Sequence, residues 1–326
     1  MFRTMSLGLL VCSLLVNFAP AQPSTLLDSN YQKEVYFQFT NIVNDRPASM
    51  DFDQAGNLYI TYQNSGTVAK IDPLKNRTTF ASGFINPTHC LWGGGTGYGN
   101  NLYVSDIGAD RVYQVDASGA KTLFTTVKQP DGLGLDRVGN YGGALYVGTT
   151  ALDHIDSVAP SGSRTLFSDF PYDQTGCTGT IDFDPGTAYG GQMYVATLST
   201  SGGAWSGIYR LDNAGTPSIF CSNLALAGKV EFDQSGEFGN HLFALGMFTV
   251  NQPYWSIYRV SPEGVATDFY HNFAGSFTFF GDNMYVADYN GATFTTTIYE
   301  ISAVPEPGML VLLALGAVRL SRRRGH

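Results

Sequence analysis

Charge is the first scarcity. Only 14% of the 326 residues are charged, and the basic ones are fewest, 18 against 27 acidic, for a formal net charge of −9. Five of the 18, Arg3, Arg319, Arg322, Arg323 and Arg324, lie in the terminal segments, which leaves 13 basic residues against all 27 acidic ones between positions 22 and 307. A body this acidic repels phosphate backbones and anionic lipid, which argues against nucleic-acid binding. Catalytic signatures are missing too: there is no G-x-S-x-G elbow, no H-E-x-x-H helix, no Walker A loop and no C-x-x-C pair. Neither terminal apolar stretch reaches the roughly 20 residues that span a bilayer. What is plentiful is glycine (38), phenylalanine (22) and tyrosine (19). Low charge with abundant aromatics and glycine describes a strand-rich globular chain with many tight turns and argues against a helical bundle.

The two ends read as processing signals. Residues 1–21 carry Arg3, an apolar run from Leu7 to Val16, and Ala19-Pro20-Ala21, the small-x-small pattern cleaved by a signal peptidase, here after Ala21. The other end, 304–326, runs Pro305-Glu306-Pro307, an apolar stretch from Met309 to Val318, then Arg319 and the cluster Arg322-Arg323-Arg324. That order resembles the PEP-CTERM sorting signal of bacterial surface proteins. The resemblance implies recognition by an exosortase-type membrane enzyme after transient insertion of the C-terminal helix, and a body released or attached at the cell surface or extracellular matrix. Met309 to Leu320 makes only about 18 Å of helix, so Arg319 has to snorkel toward the cytoplasmic face with the cluster.

Between the ends one element recurs. Asn57-Leu58-Tyr59-Ile60, Asn101-Leu102-Tyr103-Val104, Ala144-Leu145-Tyr146-Val147, Gln192-Met193-Tyr194-Val195, His241-Leu242-Phe243-Ala244 and Asn283-Met284-Tyr285-Val286 each begin a second strand. First strands precede them, as in Met50-Asp51-Phe52-Asp53 and Val230-Glu231-Phe232-Asp233, and third strands such as Ile208-Tyr209-Arg210-Leu211 follow. Fourth strands end at Phe80, Phe124, Phe167, Phe220 and Phe269, one too few for six repeats. The orphan segment Val35-Tyr36-Phe37-Gln38-Phe39 supplies the missing outer strand and closes the ring. The expectation over residues 31–302 is an all-β, six-bladed β-propeller of four-stranded blades. Aromatic-glycine pairs at Tyr98, Tyr141, Tyr189 and Phe238 read as tight turns with the ring laid over the blade edge, with a carbohydrate-stacking platform as the alternative.

The repeat text, most closely Gln129-Pro130-Asp131-Gly132-Leu133-Gly134-Leu135-Asp136 and Leu102 to Val112, resembles NHL and SMP-30/gluconolactonase-like propellers. Such blades occur in binding proteins, lactonases and lyases, so the likeness implies architecture and no single activity.

Aligned repeats put His89, Asp131 and Lys229 at the channel mouth where first strands begin, with Asp106 and Asp288 after their second strands. These five are the candidate binding cluster. In the SMP-30-like lactonases such positions hold calcium or another divalent ion through acidic and amide groups. Here only Asp131 matches that pattern, and one carboxylate cannot supply the six to eight oxygens calcium takes. Each residue also has an ordinary reading: Asp131, Asp106 and Asp288 as turn aspartates, His89 as a donor or acceptor to channel backbone. His154, His241 and His271 lack metal-ligand spacing. Asp51-x-Asp53 reads as the first hairpin rather than a calcium loop, and Gly93 to Gly99 as a turn rather than a phosphate loop. With Cys12 lost in the leader, an oxidising compartment allows one disulfide among Cys90, Cys177 and Cys221, and Cys177–Cys221 is the favoured pair.

The sequence therefore favours an exported module that binds an extracellular polysaccharide or protein ligand. A divalent-metal lactonase using Asp131, with Asp106 or His89 activating water, is the alternative, and a purely structural matrix component is a third.

Overall fold

The computed structural model describes residues 24–41, 45–150, 154–170, 176–186, 188–199, 206–248, 255–273 and 275–304, with 176, 177 and 199 described in backbone only. Ala21, Pro305, Glu306 and Pro307, which carry the expected processing signals, lie outside these residues. The described residues contain strands, turns and no helix.

Two strands precede the repeats, β1 (Thr25–Leu26) and β2 (Tyr31–Thr40). The first five repeats each fold as four antiparallel strands in chain order. The first has β3 (Pro47–Phe52), β4 (Leu58–Tyr62), β5 (Thr67–Ile71) and β6 (Arg77–Ser82). The second has β7 (Pro87–Trp92), β8 (Leu102–Asp106), β9 (Arg111–Val115) and β10 (Lys121–Thr126). The third has β11 (Pro130–Leu135), β12 (Leu145–Thr149), β13 (His154–Val158) and β14 (Arg164–Asp169). The fourth has β15 (Gly176–Phe183), β16 (Met193–Ser199), β17 (Gly207–Leu211) and β18 (Pro217–Cys221). The fifth has β19 (Leu226–Phe232), β20 (Leu242–Met247), β21 (Trp255–Val260) and β22 (Ala266–Phe273), and one pair, Leu198 with Leu226, joins it to the fourth. The sixth has β23 (Gly275–Phe280), β24 (Asn283–Asn290) and β25 (Thr295–Ala303). β2 pairs with β25 along nearly its whole length, so the N-terminal strand is the fourth strand of the last sheet. β1, which the sequence did not reveal, adds a fifth strand to the outer edge of β22.

Burial follows from position within each sheet. Every residue of β4, β8 and β12 is buried, because both faces of a second strand meet neighbouring sheets. The fourth strands β6 and β14 are mostly exposed and β10 is exposed over half its residues. No inward-outward alternation is therefore left in these second strands. Hydrophobic clusters bridge consecutive repeats: Tyr59, Val68 and Ala81 pack with Cys90, Leu102 and Val104, and Met50, Phe52 and Ile60 pack with Tyr285 and Ile298 of the last repeat. Burial of these side chains is the main force holding sheet to sheet.

Two glycine positions are dictated by close approach. Gly119, at φ 85°, ends the turn between β9 and β10, and a Cβ there would lie 2.0 Å from the Phe80 carbonyl oxygen of the preceding repeat. Gly132 faces the next first strand so closely that a Cβ would lie 1.8 Å from the Gly179 oxygen.

Candidate functional site in the axial channel

The six first strands, β3, β7, β11, β15, β19 and β23, surround one axial space. The strand pleat places every second residue toward it. In one layer stand Ser49, His89, Gly132, Thr180, Lys229 and Ser276, all of which line the space. In the next, opposite the repeated aromatic of each second strand, stand Asp51, Leu91, Gly134, Asp182, Glu231 and Thr278.

Among the described residues adjacent first strands form no backbone ladder with one another, so side chains bridge them. Asp51 Oδ2 accepts the Trp92 N–H at 2.6 Å, and Asp182 Oδ2 accepts the Phe232 N–H at 2.7 Å. Glu231 Oε1 accepts the Phe279 N–H at 3.0 Å and the Thr278 hydroxyl at 2.8 Å. In the other layer Thr180 Oγ1 accepts the Val230 N–H at 2.6 Å, and Lys229 Nζ donates to the Phe277 carbonyl at 2.5 Å. His89 Nδ1 accepts the Leu133 N–H at 3.0 Å, which assigns a neutral ring with its proton on Nε2. Each bridge reaches the following repeat, so the polar lining also fastens the sheets together.

His89, Thr180 and Lys229 separate two cavities, since all three line both. The narrower, about 130 Å³, opens where first strands begin and is lined by Thr88, Asp131, Gly228 and Trp255 among others. The wider, about 370 Å³, opens where they end, among Asp51, Trp92, Arg137, Asp182, Glu231 and Phe280. Lys229 Nζ lies 2.8 Å from Glu231 Oε2. Burial, reinforced by the Lys229 charge, pushes the His89 imidazole down to about 3. Burial raises Asp51 to about 6 and Asp182 to about 7; their backbone N–H bonds lower both, and the nearby Glu231 charge raises both. The wide end thus holds carboxyls whose charge the protein only partly compensates.

The structure brings together three of the five expected site residues. His89 and Lys229 are buried in the channel and half-buried Asp131 lines the narrow cavity. Asp106 and Asp288 line neither cavity. Asp106 is fully buried and accepts the Ile85 and Asn86 N–H groups at 2.8 Å each, so it caps the entry to β7. Asp288 stands on β24 opposite Gly275 and Thr297, where its charge acts on Lys33, Tyr270 and Tyr299. The carboxylates that do face the channel were hidden inside the first-strand motifs.

The donor set around Asp131 does not suit calcium. Among the described residues Asp131 is the sole carboxylate bordering the narrow cavity, beside the Lys229 ammonium and a neutral His89. No group of three His, Cys, Asp or Glu converges as a metal site among the described residues.

Two further expectations resolve in favour of structure. Tyr98, Tyr141 and Tyr189 are buried, and each hydroxyl spans to the next repeat. Tyr141 accepts the Met193 N–H at 2.9 Å and donates to the Leu211 carbonyl at 2.6 Å; Tyr98 and Tyr189 do the same with Leu145 and Val158, and with Leu242 and Val260. Phe238 has no hydroxyl and stacks on Tyr31 of β2 at 4.6 Å. These rings form no carbohydrate platform. The expected Cys177–Cys221 bridge is also corrected: Cys221 is a free, buried thiol 2.9 Å from Asn223 Oδ1. Cys177 lies on the first strand and Cys221 on the fourth of the same sheet, roughly 14 Å apart at sheet spacing, well beyond disulfide reach.

Neither the family models nor the curated proteins contain a match to this sequence. Solved structures do resemble it. A gluconolactonase from Xanthomonas campestris superposes with TM-score 0.60 at 12% identity, covering 87% of this chain and 99% of its own. An auxiliary nutrient binding protein from Bacteroides ovatus gives 0.61 at 12%, covering 85% and 78%. The virginiamycin B lyase of Staphylococcus aureus gives 0.53 at 9%, covering 84% and 100%. The fold is a β-propeller. At these identities the likeness carries architecture and no chemistry.

Proposed function

We propose that this chain is an exported six-bladed propeller, its ring closed by β2, that acts at the cell surface or in the extracellular matrix as a binding module. The reading includes cleavage after Ala21 and handling of the Pro305-Glu306-Pro307 tail by an exosortase-type enzyme. Cyclic packing of the hydrophobic clusters, with the first repeat against the last, supports closure. The observation that carries the binding reading is the channel lining itself. Its buried groups are mostly committed to fastening the blades, and the Asp131 mouth sets one carboxylate in the same lining as an ammonium instead of presenting a cation cage. The fold likeness to a nutrient binding protein agrees with this reading, and the likeness to a gluconolactonase keeps the metal-lactonase reading as the one to test against it.

The deciding experiment is thermal unfolding of the purified protein with chelator and then with excess calcium, alongside lactone hydrolysis. An unchanged melting temperature and no turnover are expected, because a ligand bound only by the folded form would stabilise it. A chelator-sensitive melt restored by calcium, with lactone turnover, would overturn the reading. Retention on immobilised polysaccharide or protein ligands then separates binding from a purely architectural role.

A further inference from the structure

The wider cavity lies at the end of the channel opposite the mouth singled out by the repeats. We propose that this cavity, among Asp51, Trp92, Asp182, Glu231 and Phe280, binds a neutral polyhydroxylated ligand, one or two sugar units of a glycan. This rests on the binding-module reading and gives it a place and a ligand class.

Size is the first argument. About 370 Å³ lies within the range of small-molecule sites, and the roughly threefold smaller cavity at the other end falls below it. The second is the mixture of polar groups. A carboxylate offers about four acceptor positions. Asp51 spends its positions on the Trp92 and Phe52 N–H groups, and Asp182 spends its own on those of Phe232 and Phe183. Both keep acceptor capacity at the cavity wall. Donors stand beside them: Lys229 Nζ and the Arg137 guanidinium at the rim, each of which holds backbone carbonyls and has further N–H groups. Interleaved donors and acceptors suit hydroxyls, since each hydroxyl is both.

The third argument is aromatic. The Trp92 ring lies parallel to Tyr59 at 6.0 Å and the Phe280 ring stacks on Phe52 at 4.6 Å, so both are held rigidly where they border the cavity. Rigid rings beside paired acceptors provide apolar and polar contact in one site. Charge decides among the remaining classes. Four carboxylates, Asp51, Asp53, Asp182 and Glu231, repel an anion, Lys229 and Arg137 in the same lining oppose a cation, and an apolar ligand would strand the desolvated carboxyls.

Isothermal titration of the full chain with glucose, N-acetylglucosamine, cellobiose and maltose tests the inference. Binding of at least one saccharide is expected, and Gln234→Trp, which fills the exposed rim of the wide cavity, should abolish it. Gln63→Trp at the narrow cavity should leave it unchanged. Trp92→Phe, which shortens the ring at the cavity wall, should weaken binding roughly tenfold; melting curves confirm that each variant is folded. Loss of binding in Gln63→Trp with retention in Gln234→Trp would overturn the location while leaving the binding-module reading intact. Tighter binding of glucosamine or spermidine than of any neutral sugar would overturn the ligand class. If no saccharide binds, the inference fails, whereas the broader reading fails only if immobilised polysaccharides and matrix proteins also go unbound.

Discussion

Replacing Asp182 by asparagine should stabilise this protein above neutral pH. Asp182 Oδ2 accepts the Phe232 N–H of the next blade at 2.7 Å, and the Asn side chain retains an oxygen for that bond. What Asn removes is the charge, which burial and the Glu231 carboxylate disfavour enough to move the Asp182 carboxyl from 3.8 to about 7, together with the Oδ1 acceptor of the Phe183 N–H at 2.9 Å, a pH-independent loss of about 1 kcal/mol. A folded-state pKa above the unfolded value means that the folded chain binds the proton more tightly. The resulting stabilisation is fully present below about 3.8 and is lost as pH rises through about 7. At 1.36 kcal/mol per pH unit, the folded wild type at pH 8 carries a cost of up to about 4 kcal/mol that Asp182→Asn lacks. Asp51, raised to about 6, and His89, lowered to about 3, titrate in both proteins, so they largely cancel in the comparison. Urea unfolding followed by tryptophan fluorescence at pH 4, 6 and 8 supplies the numbers. The variant should be about 1 kcal/mol less stable at pH 4, where only the lost Phe183 N–H bond counts, and should overtake the wild type by pH 8. A variant less stable than wild type at pH 8, or a difference that does not change with pH, would refute the reasoning.

Other substitutions probe the joints between blades. Gly132→Ala should destabilise by about 3 kcal/mol, because its Cβ would lie 1.8 Å from the Gly179 carbonyl oxygen and the two first strands would have to separate; equilibrium unfolding measures it. Tyr141→Phe should cost about 2 kcal/mol in the same assay, since the Met193 N–H and Leu211 C=O both lose a buried partner. Cys90 and Cys221 should be unreactive toward a thiol reagent until the chain unfolds, and reductant should leave the melting temperature unchanged. A disulfide to either residue in peptide mapping would contradict the structure.

The fold was largely legible because every repeat solves the same packing problem. Tyr59, Tyr103, Tyr146, Tyr194, Phe243 and Tyr285 all sit on second strands pressed between two sheets, and an aromatic at a fixed register announces that environment. The orphan strand could be placed because a missing fourth strand and a surplus first one are complementary. β1 escaped notice because two residues, Thr25 and Leu26, carry no periodicity. Lost alternation in the second strands has a related cause: period two reports one buried face, and these strands have two.

The site was less legible, for a reason the repeats themselves make clear. Aspartates that recur at one register build turns. Asp53, Asp136, Asp184 and Asp233 follow the first strand, and each accepts backbone N–H groups of its own hairpin, as in Asp136 with Gly139, Tyr141 and Gly143. Two residues earlier the register does not repeat: Asp51, Leu91, Gly134, Asp182, Glu231 and Thr278 occupy equivalent places opposite the second-strand aromatic. A position constrained only by the fold would hold similar residues in all the repeats, as the aromatic position does. Acid, aliphatic, glycine and hydroxyl at one register therefore mark where the repeats cease to be equivalent, and that register borders the wider cavity. The sequence carries this signal in motifs such as Met50-Asp51-Phe52-Asp53, where the first carboxylate is particular to its repeat and the second recurs. In a propeller the repeating residues hold the ring together, and the residues that break the repeat on the axial strands are the ones to mutate first.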